Sequence, residues 1–244
     1  MEKEIEFRRT RRRFSPALFS RCTREHLKTL IARANSHPGA GIHFSLVLGD
    51  PQAFSNIFKT RGLFSGVHSY IVAAATRDDP LTQQLIGYYG EMMVLNLARS
   101  GICSCWVGKT YNKRRLAVPI WPDEKLFCVI AIGFPTYIPS AVDVAAYFMK
   151  RLKKHKAEQI MEYHGEGQPP RWFMKGIEAV LRAPSAHNRL PVHFSLDRNR
   201  GCVRAWADPN GGFENIDLGI AKLHFELGAN YVFYDLRKRI EPAK

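Results

Sequence analysis

Apolar positions along the chain switch repeatedly between two periods. Leu27, Leu30, Ile31 and Ala34 fall at i, i+3, i+4 and i+7, the stripe of a helix with one buried face. They predict a helix over 23–35 with Thr23 as its N-cap. Alternation takes over at 42–48 and predicts a strand, while 68–76 is a continuous apolar run ending in Ala73-Ala74-Ala75 and predicts a buried one. Asp79-Pro80 opens a long helix that Gly101 ends, since aspartate caps and proline is tolerated where no N–H is needed. The segments 103–107 and 125–134 are apolar and rich in β-formers, as central strands are. A mixed joint from Pro135 to Gln168 follows, with a short helix over 157–163. Beyond it the pattern predicts a helix over 171–183, strands over 191–197 and 202–206, a helix over 217–228 and a last strand over 231–236. Helices and strands mix without strict alternation, so the class is α+β rather than a doubly wound sheet.

One unit appears twice. His43-Phe44-Ser45-Leu46 recurs as His193-Phe194-Ser195-Leu196, and Ile177, Val180, Leu181 and Pro184 precede the second copy at the spacing of Leu27, Leu30, Ile31 and Ala34. The connecting loops differ: Asn35-Ser36-His37-Pro38-Gly39-Ala40-Gly41 in the first, Pro184-Ser185-Ala186-His187-Asn188-Arg189-Leu190-Pro191 in the second. Copies with differently specialised polar detail predict a fused homodimer. The first repeat covers 1–138, a connecting segment 139–168, and a second, shorter repeat packed against the first covers 169–244.

Charge sharpens this picture. The 244 residues carry 36 Lys and Arg against 22 Asp and Glu, a net +14, concentrated at 8–13 and 150–156. Such an excess attracts anions, whether nucleic acid, a membrane surface or phosphorylated small molecules. The charged start Met1-Glu2-Lys3-Glu4 is no signal peptide, and the longest apolar run, 126–134, falls short of the roughly 20 residues a bilayer span needs. The expectation is a cytoplasmic protein without a membrane partner. Five cysteines without repeating spacing make no disulfide framework, and the lone Cys103-x-Cys105 pair is a poor zinc signal, so buried thiols and no metal are expected. Neither G-x-G-x-x-G nor G-x-x-x-x-G-K-S/T occurs. The nine histidines are scattered, suggest no side-chain acid–base pair, and leave His43 and His193 as satisfied core or rim residues.

Four motifs together carry a resemblance: Arg8-Arg9-Thr10-Arg11-Arg12-Arg13-Phe14, Gly90…Asn96-Leu97, Gly101…Cys105-Trp106-Val107-Gly108 and Ala183-Pro184-Ser185-Ala186-His187-Asn188. The chain resembles the FMN-dependent nitroreductase-like superfamily, whose ordinary members are homodimers with flavin sites straddling the subunit interface. Here the A-P-S loop stands only in the second copy and the arginine segment is clear only in the first. That arrangement resembles the fused, pseudo-dimeric branch of "putative TM nitroreductases". The resemblance implies a nitroreductase-like fold with mixed and antiparallel sheets flanked by helices.

It also implies the chemistry. Guanidinium groups suit a phosphate dianion because they donate bidentate, charge-assisted hydrogen bonds. Arg8, Arg9 and Arg12 are expected there, with Thr10 in the motif's Ser place; an extended segment sets Arg8, Thr10 and Arg12 on one face and Arg11 and Arg13 on the other. Lys154 and Lys156 stand where members supply late basic phosphate ligands. Pro184, Ser185 and Ala186 would meet the flat ring, Asn188 would pin the loop or reach the pyrimidine, and the backbone of Trp106, Val107 and Gly108 would lie near flavin N5. Leu190 replaces the family's Gln and Lys109 a second Gly, departures that bear on substrate more than on flavin. The implied function is an FMN-dependent oxidoreductase in which NADH or NADPH gives hydride to N5 and a small acceptor such as a nitroaromatic or quinone removes it, a ping-pong cycle needing no catalytic side chain. A flavin-binding carrier or sensor without turnover is the alternative. A basic nucleic-acid-binding protein is a third, which the lack of interleaved aromatic and basic residues does not encourage. A monomer suffices for one site, with further self-association open.

Overall fold

The computed structural model describes residues 2–37, 41–152 and 155–236. In chain order the helices are α1 (Glu2–Phe7), α2 (Arg21–Asn35), α3 (Ile57–Thr60), α4 (Pro80–Arg99), α5 (Ala141–Leu152), α6 (Arg171–Val180) and α7 (Glu214–Ala229). The strands are β1 (Ile42–Val47), β2 (Ser69–Ala75), β3 (Cys103–Val107), β4 (Lys125–Gly133), β5 (Met161–His164), β6 (Val192–Asp197) and β7 (Cys202–Ala207). The described residues separate into two compact units: one within Arg8–Asp78 and Met93–Arg151, the other within Met1–Phe7, Asp79–Met92 and Leu152–Arg239.

The first unit is built on a four-stranded antiparallel sheet of order β1-β2-β4-β3. β2 is buried at every position, as its unbroken apolar run requires of a central strand. Phe54 fills the core beside it, its ring against those of Phe64, Tyr70 and Tyr111. α2 buries Leu27, Ile31 and Ala34. Its last residue, Asn35, satisfies the outer edge of β1, accepting from Phe44 N–H (2.7 Å) and donating to Phe44 C=O (2.9 Å).

The second unit holds a three-stranded sheet, with β5 parallel and β7 antiparallel to the central β6. Phe194 of β6 stacks on Phe225 of α7 at 4.9 Å, and Phe173 of α6 closes on the same ring at 5.6 Å. Three glycines bring helix backbones into contact. A Cβ on Gly219 of α7 would sit 1.9 Å from the Gln84 carbonyl oxygen, one on Gly87 of α4 2.1 Å from that of Ile216, and one on Gly228 2.6 Å from that of Lys175 in α6. Any side chain there would push the helices apart.

The α+β class and the central elements follow the sequence pattern, and the departures have local causes. α2 starts at Arg21, where Ser20 rather than Thr23 is the cap and accepts Thr23 N–H at 3.1 Å. The expected helix over 157–163 is a single 3-10 turn, Ala157–Gln159, followed by β5, because Met161–His164 alternate in burial and pair with Phe194–Asp197. The joint also holds α5, whose Asp143 N–H is capped by Ser140 Oγ at 3.0 Å. The last expected strand is an irregular segment ending in a 3-10 turn, Tyr234–Leu236. Its aromatics, which read as β-formers, are packing groups: Tyr231 stacks on Trp172 at 5.9 Å, and Glu226 accepts Phe233 N–H at 2.6 Å. Among the described residues no helix is long and apolar enough to cross a membrane.

Candidate cofactor site

The arginine segment forms a strap sewn to the four-stranded sheet by its backbone. Thr10 bridges Ser104 of β3 in parallel, Arg11 N–H donates to Ser104 C=O at 3.1 Å, Phe14 N–H donates to Ser65 C=O at 3.0 Å, and Ser15 N–H donates to Phe134 C=O at 2.9 Å. Phe14, only 3% exposed, is the anchor. Gly66 (φ +68°) and Gly133 make room for it, since a Cβ at either would collide with Phe14. The strap therefore runs along the edge strand that carries Trp106 and Val107 and leads into Gly108, so these two groups of expected site residues share one unit.

The arginines differ sharply in environment. Arg8 is buried and reaches Thr10 Oγ1 at 3.3 Å, which puts both on one side of the strap. Arg9 is exposed, with Nη1 donating to Arg8 C=O at 2.9 Å. Arg12 is already engaged: its backbone N–H and Nη1 both donate to the buried Asp143 carboxylate, at 3.0 and 2.9 Å. Arg11 turns toward Cys103, whose thiol is pushed up by burial and pulled back by that guanidinium. Arg13 is exposed. Asp143, unforeseen in sequence, sits in the first turn of a helix hidden inside a proline-bounded joint.

The A-P-S loop belongs to the other unit and is conformationally extreme. His187 (φ 55°), Asn188 (φ 54°) and Leu190 (φ 48°) all occupy the left-handed region that L-residues avoid. Side-chain acceptors hold it there. Ser185 Oγ accepts Leu190 N–H at 2.8 Å, and both Asp217 oxygens accept Ala186 N–H, at 2.9 and 3.1 Å. Asn210 Nδ2 donates to Asp217 at 3.0 Å and to Ala186 C=O at 3.3 Å. The Ala186 amide is thus engaged by α7, and Ser185 Oγ serves as an acceptor within the loop. Burial pushes the Asp217 carboxyl up to about 6 against the lowering pull of those donors, with Glu214 adding to the rise. His155 reaches Asn188 C=O at 3.3 Å, and the exposed Lys156 follows it in sequence. Lys154 lies outside the described residues.

The thiols stand apart from this chemistry. Burial pushes Cys105 up to about 11 and Cys128 up to about 12. Cys103 and Cys202 are half-buried, and Cys22, expected to be buried, is exposed because it lies on the outward face of α2.

An antiparallel sheet with an arginine strap on its edge strand, and a second α+β unit with a strained A-P-S loop, define a nitroreductase-like fold. The family model described as "Putative TM nitroreductase" matches residues 1–229, and the chain belongs to that family. A crystal structure of a putative nitroreductase from Thermotoga maritima MSB8 is similar at TM-score 0.61 and 21% identity, covering 94% of this chain and 83% of that one. A nitroreductase family protein from Clostridium novyi NT aligns at TM-score 0.44 and 18% identity, over 55% of this chain and 84% of that one. An FMN-dependent nitroreductase from Clostridium difficile R20291 aligns at 0.44 and 18%, over 57% and 89%. No curated protein matches the sequence.

Proposed function

We propose that this chain is an FMN-dependent oxidoreductase of the nitroreductase type. Family membership supports an oxidoreductase, and the observation that carries the cofactor is the strap: three guanidinium groups and a threonine hydroxyl fixed along the edge of β3. That donor set fits a phosphate dianion. Arg8 and Arg9 would supply the charge, with Thr10 held in register by Arg8. Arg12 shares its charge with Asp143, so it contributes orientation more than net attraction. Lys156, and Lys154 before it, would add late positive charge.

The ring would be met by Pro184, Ser185, Ala186 and Asn188 and by the backbone of Trp106, Val107 and Gly108. Because Ala186 spends its N–H on Asp217 and Ser185 Oγ accepts Leu190 N–H, the two shape a surface for the ring, and Asn188 would present polar contact. Bound FMN would supply the redox chemistry, taking a hydride from NADH or NADPH at N5 and yielding it to a small acceptor such as a nitroaromatic or quinone. The reading is of one FMN per chain.

The test is spectroscopic. The purified chain, incubated with FMN and desalted, should keep a flavin spectrum that anaerobic NADH or NADPH bleaches. A colourless protein overturns the cofactor assignment, and a yellow protein that neither nucleotide bleaches overturns the oxidoreductase in favour of a carrier.

A further inference from the structure

Outside the cofactor site, the first unit holds three side chains in a nucleophile–base–acid relay. Ser45 Oγ lies 3.1 Å from His43 Nε2, and His43 Nδ1 lies 2.9 Å from Glu124 Oε1. His43 and Ser45 stand two apart on β1, so both project from its outward face while Phe44 between them enters the core. The register explains how Glu124 arrives. His43 lies opposite Ala74 of β2, whose methyl leaves space above it, and Ala74 lies opposite Leu126 of β4, two residues after Glu124. The carboxylate reaches over that low point, and its second oxygen accepts Trp121 N–H at 3.1 Å.

Polarity sets the direction of the relay. An ionised carboxylate only accepts, so Nδ1 of the neutral imidazole carries the proton. Nε2 then keeps its lone pair and faces the Ser45 hydroxyl as a base. The Glu124 side chain is 5% exposed and that of His43 34%, so the orienting acid is sheltered and the base remains open to a substrate. This matches the geometric signature of an activated nucleophile.

The second copy of the same tetrapeptide shows that the relay is not forced by the sequence. There His193 uses Nε2, not Nδ1, to reach Asp208 at 2.8 Å, its ring stacks on Trp206, and it makes no hydrogen bond with Ser195. One H-F-S-L strand has the relay and its repeat does not.

We propose that Ser45, His43 and Glu124 form a second active site that hydrolyses small carboxylic esters by acyl transfer. Ser45 Oγ attacks the ester carbonyl carbon while His43 Nε2 takes its proton. The bond from that carbon to the alkoxy oxygen breaks, and the proton passes from His43 to the departing alcohol. Water, deprotonated by the same imidazole, then attacks the acyl carbon; the bond to Ser45 Oγ breaks, His43 returns the proton to that oxygen, and the carboxylic acid is released. Ester and water are consumed, acid and alcohol are formed, and no electrons are exchanged.

The probes are p-nitrophenyl acetate for turnover and diisopropyl fluorophosphate for labelling, where Ser45 Oγ displaces fluoride from phosphorus. Both use the full chain. Expected is p-nitrophenol release above buffer, with a single phosphoryl adduct mapping to Ser45 by peptide mass. Ser45→Ala and His43→Ala should lower turnover about a hundredfold or more, and Glu124→Gln at least about tenfold. Ser195→Ala should match the parent, and FMN content should be the same in all variants, which keeps this result separate from the flavin reading. Since Ser45→Ala removes one half-exposed hydroxyl, its melting temperature should stay with the parent's. No turnover by the parent, equal turnover by Ser45→Ala, or an adduct at another residue would overturn the assignment.

Discussion

The strained A-P-S loop is held by one carboxylate, and replacing it makes a quantitative test. Asp217 is 4% exposed, and burial raises its pKa from 3.8 to about 6. A carboxyl raised in the folded state binds its proton more tightly there than in the unfolded chain. Its contribution is therefore fully present below pH 3.8 and is lost as pH rises through 6. A rise of about two pH units, at 1.36 kcal/mol each, is worth about 3 kcal/mol across that window. Asp217→Asn keeps an oxygen for Ala186 N–H but cannot titrate. Urea unfolding of both proteins at constant ionic strength should show the parent losing stability relative to Asp217→Asn by about 3 kcal/mol from pH 4 to pH 7.5. A parent–variant difference that is flat over this range would refute the reasoning and mean that the Ala186 and Asn210 donors fully offset the cost of burying the charge.

Other perturbations address the strap and the helix contacts. Arg9→Ala should weaken FMN binding about ten- to a hundredfold, measured by fluorescence quenching at fixed salt, while the exposed Arg13→Ala should leave it nearly unchanged. Equal small losses at both would point to a diffuse basic surface instead. Asp143→Ala leaves Arg12 N–H and its guanidinium without their acceptor and should cost about 1–3 kcal/mol in urea unfolding. Gly219→Ala, whose methyl would meet Gln84 backbone at 1.9 Å, should cost at least about 2 kcal/mol by thermal melting, and no loss would mean that α4 and α7 part freely. Flavin released by acid and counted against protein should approach one per chain.

Periodic patterns were legible because burial imposes them locally. Leu27, Ile31 and Ala34 announce α2, and the unbroken run of β2 announces a central strand, since each reports only which side of its own element faces the core. The aromatics at 231 and 233 misled for the same reason. Strand formers and core fillers share a composition, and only Glu226, holding Phe233 N–H, decides between them. What sequence could not convey was pairing at a distance. Asp143 meets Arg12 across 131 positions from the first turn of a helix, and Glu124 meets His43 across 81 through sheet register, and no spacing encodes either. Asp217 was hidden differently, because an acid in the first turn of a helix already has an electrostatic reason to be there. The two H-F-S-L strands make the point most directly. Identical residues in equivalent strands differ in chemistry because Glu124 approaches Nδ1 of one histidine while Asp208 approaches Nε2 of the other. That choice leaves one serine facing a base and the other without one, so the function of a repeated motif is set by the carboxylate that the fold delivers to it.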